Sequence, residues 1–97
     1  MNATKRNLDE LRAEIDRIDA EMAKLYEARM NAAKGVAATK YENNLPIYDA
    51  EREEAVIDKN MARIDNPEYR EMYRAFITFV MAQSKALQHT LISKDHS

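Results

Sequence analysis

Cysteine is absent from the 97 residues, which excludes disulfides, thiolate nucleophiles and thiolate metal sites. One glycine, Gly35, and two prolines, Pro46 and Pro67, leave almost no tight turns. Hairpin architectures and glycine-rich phosphate loops are thereby excluded, and a few long helices are favoured. The two histidines, His89 and His96, both stand near the C-terminal end, so neither a histidine-based metal site nor a serine triad is expected. No apolar run approaches the roughly 20 residues that span a bilayer. The opening MNATKRNLDELRAE lacks the apolar centre of a secretory signal. A formal net charge of −2 argues against a general nucleic-acid binder but permits a local basic pocket. What is present is 45% hydrophobic and 33% charged residues, the balance of a chain that folds. The length allows one domain, 1–97, with no room for a separate cofactor lobe. The expectation is an all-α, cytoplasmic protein without metal, cofactor, membrane or nucleic-acid partner.

Leu8, Leu11, Ile15, Ile18, Met22 and Leu25 recur at alternating steps of three and four, a heptad seam. Asn7 is a candidate cap, with Glu10 in the capping-box position. The spacing predicts one helix from about Asn7 to Asn43, about 54 Å long. A compact chain of this size has a radius of gyration of about 13 Å. Such a helix projects beyond its own chain, and its seam calls for a partner, most simply a second copy. Pro46 breaks the helix, and Asp49 then caps a second one over about Ala50 to Ile64. Its buried stripe is Val56, Ile57, Met61 and Ile64. Asn66 and Pro67 open a third helix, over about Glu68 to Ile92. Tyr69, Met72, Tyr73, Phe76, Val80, Leu87 and Leu91 are expected inward, His89 on the surface, and Ser93–Ser97 frayed.

The informative positions are polar residues where apolar ones were due. Continuing the seam past Leu25 places Arg29 and then Lys40 on it, only about 20° apart around the helix and about 16 Å apart along it. Ala32, Ala33, Val36 and Ala37 between them are small and leave space instead of packing. The bland reading is two cations reaching solvent from the seam's edge; the functional one is a pair bracketing a small anion. Arg52 and Glu53 lie one turn before Val56 and Ile57, so both are expected to approach the buried stripe, although Asp49 and Glu53 alone are also ordinary helix-start chemistry. Ser84 and Gln88 sit one turn apart beside Val80 and Leu87, where satisfied packing residues are common. Together these describe a pocket with cations, a carboxylate and two neutral hydrogen-bonding groups. It holds no obvious nucleophile and no histidine base. Such a pocket suits a small polyanion and catalysis by orientation and electrostatics.

The run Leu11-Arg12-x-x-Ile15-Asp16-x-Ile18-Asp19, then Arg29 and Lys40, then Asn44-Leu45-Pro46-Ile47-Tyr48-Asp49-x-Glu51-Arg52-Glu53, resembles the all-helical chorismate mutases. Ser84 and Gln88 complete the pattern, and the block from Pro46 to Glu53 is its most specific part. The resemblance implies three helices, one long, one short and one long, in an intertwined homodimer with shared active sites. It implies rearrangement of the dicarboxylate chorismate to prephenate, on the route to phenylalanine and tyrosine. By that resemblance Arg12 and Arg29 grip the two carboxylates, with Ser84 assisting. Lys40 and Gln88 donate to the ether oxygen, Glu53 with Asp49 receives the ring hydroxyl, and Arg52 completes the charged wall. A preorganised donor of this kind is worth about 2.7–4 kcal/mol, so loss of Lys40 is expected to cost roughly a hundred- to a thousand-fold in rate.

Arg12 stands 28 residues before Lys40, about 42 Å along one helix. It can serve the same pocket only from an antiparallel second chain, with the two-fold axis near Ala23. Two alternatives stand beside this reading: an isochorismate pyruvate-lyase on the same fold, and a non-catalytic helical dimerisation module. The acidic pair Asp49 and Glu53 favours the mutase. No regulatory domain is apparent, so feedback by an aromatic amino acid is not expected.

Overall fold

The computed structural model describes residues 7–96, with side chains through Ile92. Among the described residues three α-helices follow one another: α1, Leu8–Glu42; α2, Ala50–Ala62; and α3, Pro67–His96. Among the described residues no helix is long and apolar enough to cross a membrane. The chain divides into two units, Met1–Asn31 and Ala32–Ser97.

Local chemistry accounts for the helix ends. Asn7 and Glu10 form a reciprocal capping box: the Glu10 amide donates to Asn7 Oδ1 at 2.8 Å, and the Asn7 amide to Glu10 Oε1 at 3.2 Å. Gly35 does not interrupt α1, because one glycine costs only about 1 kcal/mol relative to alanine. The helix ends in a Schellman motif. The Leu45 amide donates to the Lys40 carbonyl at 2.8 Å and the Asn44 amide to the Tyr41 carbonyl at 3.2 Å. Asn44 supplies the left-handed residue this turn requires, with φ 56°. Asp49 caps α2 by accepting the Arg52 amide at 3.1 Å. Asn66 accepts the Glu68 amide at 2.9 Å, with Pro67 as the first residue of α3. Helix α2 stops two residues earlier than its apolar spacing predicts, where the Arg63 amide closes on the carbonyls of Asn60 and Met61. Helix α3 runs four residues further, through His96, since no breaker follows Ile92. Of the expected frayed tail, Ser97 lies outside the described residues.

In the first unit the seam is uncovered. Leu8, Ile15, Ile18, Met22 and Leu25 are 48–66% exposed, and only Leu11 is half-buried. The second unit is built on a small core of Ala33 and Ala37 from α1 and Ile77 and Val80 from α3. The α2 residues Val56, Ile57 and Met61 are half-buried, as are Ile64 just beyond the helix and Tyr73, Leu87 and Leu91. Buried Asn60 is satisfied locally: its Nδ2 donates to the Val56 carbonyl at 2.9 Å and its Oδ1 accepts from Arg63 Nη1 at 3.0 Å. Tyr69, Met72 and Phe76 are not inward in this chain. Together with Phe79 they follow steps of three and four and form a second, exposed apolar face on α3. Periodicity identifies both faces of such a helix but not which one the chain itself covers.

Candidate active site

Three polar contacts frame a site within the second unit. The first joins α3 to α1: Gln88, 8% exposed, donates through Nε2 to the Ala33 carbonyl at 2.9 Å. Ala33 and Ala37 are buried at 7% and 2% exposure, whereas Ala32 and Val36 are exposed. The expectation that these small residues leave open space is thus corrected at Ala33 and Ala37, which belong to the core. The second contact joins α1 to the following linker, where Lys40 Nζ donates to the Ile47 carbonyl at 2.8 Å. The third joins α3 to α2, where Lys85 Nζ meets Glu53 Oε2 at 3.2 Å. The same ammonium lies over the Tyr48 ring, 4.3 Å from its centroid.

The expected residues fall in different settings. Lys40, Asp49, Arg52, Glu53, Ser84 and Gln88 all belong to the second unit; Arg12 and Arg29 belong to the first. Ser84 is buried, and its hydroxyl donates to the Val80 carbonyl at 3.1 Å, one turn back on its own helix. Asp49 is exposed, and Oδ1 is engaged in capping α2. Arg52 is exposed and does not reach the buried stripe, contrary to expectation, because α2 turns that position outward. Arg12 is exposed on the first turns of α1 and Arg29 is half-buried. Among the described residues the guanidiniums of Arg12 and Arg52 make no ion pair or hydrogen bond. Gln88 makes one hydrogen bond, so the second hydrogen on Nε2 has no partner among them. Among the described residues no three His, Asp or Glu side chains are grouped as a metal site requires. An open groove of about 600 Å³ beside Tyr41, Leu45, Ile47, His89 and Ile92 contains none of the eight candidate residues. Lys40, Glu53 and Gln88 are held by the three polar contacts and do not line this groove.

A family model described as chorismate mutase type II matches residues 11–89. The chain belongs to the type II chorismate mutase family. The match spans all eight residues named from the sequence, Arg12 through Gln88. The chain is 46% identical over 52 residues to the bifunctional chorismate mutase/prephenate dehydratase of Aquifex aeolicus, covering 54% of this chain and 14% of that protein. It is 30% identical over 93 residues to the protein of the same description from Buchnera aphidicola, covering 94% and 24%. It is 42% identical over 52 residues to the chorismate mutase of Methanocaldococcus jannaschii, covering 54% and 52%. The chain thus spans a seventh to a quarter of the two bifunctional relatives and about half of the archaeal one. Within this chorismate mutase fold, sequence reasoning missed Lys85 and Tyr48 as members of the polar frame. The available signal was angular. Lys85 lies about 60° around α3 from Gln88, at the rim of the face that carries Ser84 and Gln88.

Proposed function

We propose that this chain catalyses the rearrangement of chorismate to prephenate, in the synthesis of phenylalanine and tyrosine. The observation that carries the reading is Gln88: a buried amide, anchored through one N–H to Ala33, with its other N–H unengaged among the described residues. A fixed neutral donor is what a reaction without proton transfer calls for. In the rearrangement the ether C–O bond breaks as a new C–C bond forms, within one molecule and with no net proton movement. The enzyme's task is to hold the flexible dicarboxylate in its compact conformer and to stabilise charge developing on the ether oxygen. Lys40 and Gln88 supply that stabilisation, Arg12 and Arg29 bind the carboxylates with Ser84, and Glu53 with Asp49 accepts the ring hydroxyl beside Arg52.

The functional unit in this reading is a homodimer. The uncovered seam from Leu8 to Leu25 and the Arg12 guanidinium, which has no partner among the described residues, support it, because a second antiparallel chain would cover the one and employ the other. Two substrates test the activity. Loss of chorismate absorbance with prephenate formed is expected; free pyruvate released from isochorismate would make the chain a lyase instead. Full function in a chain whose Arg29 and Lys40 are both replaced by Met would reduce it to a helical dimerisation module.

A further inference from the structure

Lys85 has no role in the reading above, yet it is the residue that joins α3, α2 and the linker. Its ammonium is 3.2 Å from Glu53 Oε2 and 4.3 Å from the centre of the Tyr48 ring. The Lys85 and Glu53 side chains are 33% and 31% exposed. A pair this wet contributes little to stability. Its effect is geometric. A glutamate in the first turns of a helix has several rotamers open to it, and the contact with Lys85 selects one. Tyr48 limits the ammonium from the other side, so the cation is confined between a carboxylate and an aromatic face. Among the described residues Glu53 Oε1 has no partner, since the carboxylate's one contact is through Oε2.

We propose that Lys85 is a positioning residue for Glu53: it holds Oε2 and thereby presents Oε1 to the hydroxyl of the substrate. A second effect has the same sign. A bare carboxylate in a site for a dianion repels its ligand, and Lys85 offsets that charge without touching the ligand. This inference rests on the mutase reading, in which Glu53 is the hydroxyl acceptor. Both effects act on the bound substrate and the transition state alike, so they belong in KM more than in kcat.

The test is a double-mutant cycle on chorismate turnover by the purified chain. Lys85→Met is expected to raise KM about tenfold and to change kcat by no more than about threefold. Lys85→Arg, which keeps the cation, should recover most of the loss. In a Glu53→Gln background, Lys85→Met should add less than about twofold, because the group it positions is no longer a carboxylate. The urea midpoint of Lys85→Met should stay near that of wild type. An unchanged KM, an equal loss in the Glu53→Gln background, or a Lys85→Met chain that fails to fold would each overturn the inference. A wild-type chain that does not convert chorismate would overturn the mutase reading and this inference with it. Wild-type turnover with an unaltered Lys85→Met KM would overturn this inference alone.

Discussion

Replacing Gln88 by Glu changes one terminal atom of the side chain and almost nothing in its size, yet the setting makes the change severe. In the native chain Nε2 lies 2.9 Å from the Ala33 carbonyl oxygen. An ionised glutamate would place an acceptor against an acceptor, whereas the protonated acid could donate there. The site is also 8% exposed, which disfavours charge by desolvation. Both effects raise the introduced carboxyl above the ordinary glutamate value of about 4.3. Below that ordinary value the folded and unfolded chains are both protonated, and the variant should be about as stable as wild type. As pH rises the unfolded chain ionises first, and stability falls by about 1.4 kcal/mol for every unit by which the folded value is raised. Activity follows the same direction with an added limit. The amide has two N–H groups, one for Ala33 and one for the ether oxygen, while the acid has a single proton for both. Gln88→Glu is therefore expected to be most active at acidic pH but below wild type there. Toward pH 8 it should lose a further hundred- to thousand-fold, the size of a missing transition-state donor. Chorismate consumption between pH 5 and 8, with urea unfolding at the same pH values, measures both trends. Gln88→Met, which has no donor, should be slow and flat. A Gln88→Glu profile parallel to wild type would refute the reasoning and return Gln88 to packing alone.

Asn44 holds the left-handed position of the Schellman turn, so Asn44→Gly should match or exceed wild type in urea stability, while Asn44→Ala should lose about 1 kcal/mol. Equal stability of the two variants would contradict the role given to that turn. Gly35 lies inside α1, and a Cβ built there meets nothing within 4 Å; Gly35→Ala should therefore stabilise the chain by about 0.5–1 kcal/mol in the same measurement. For the shared-site homodimer, Arg12→Ala and Lys40→Ala are expected to be inactive separately. Unfolded and refolded together at equal ratio, they should recover about a quarter of the wild-type sites, since half the dimers are mixed and each mixed dimer restores one of two sites. No recovery in a preparation proven to contain mixed dimers would confine Arg12 to its own chain or to a structural role.

Much of the fold could be read from the sequence because its punctuation is local. Asn7 with Glu10, Asp49, and Asn66 with Pro67 each act on amides within three residues, and each stands at the boundary its chemistry predicts. The far end of α3 was not legible for the converse reason: nothing between Ile92 and His96 forbids a helix, and fading apolar periodicity does not end one. Phe76 and Met72 were misplaced because a side chain that waits for a partner has the same spacing as one in the chain's own core. At the site, Lys40, Glu53 and Gln88 stood out as polar interruptions of apolar stripes. Lys85 did not, since a lysine beside a stripe looks like solvent-facing surface until Glu53 and Tyr48 are seen to flank it. The alanines of α1 were misread by the same limitation. Small side chains mark either a gap or a buried position, and only the folded chain decides between them: Ala33 and Ala37 are buried, Ala32 and Val36 are not.

Lys40 is held by an uncharged oxygen. Its bond to the Ile47 carbonyl orders the side chain without cancelling its charge, and among the described residues no carboxylate contacts the ammonium. Confining a free lysine costs roughly 1.5–2 kcal/mol of rotamer entropy, a cost that would otherwise fall on ligand binding. Here folding has already met it. In the proposed mutase reading, an arriving anion would find a cation already ordered, with no acidic side chain among the described residues to displace. The helix terminus contributes to the same end: the residue whose ammonium holds the linker also offers its main-chain carbonyl to Leu45, so one position fastens the chain reversal at two points. Loosening that reversal would return the lysine to its rotamer ensemble, so in the proposed reading anion affinity would be a property of the turn as much as of the charge.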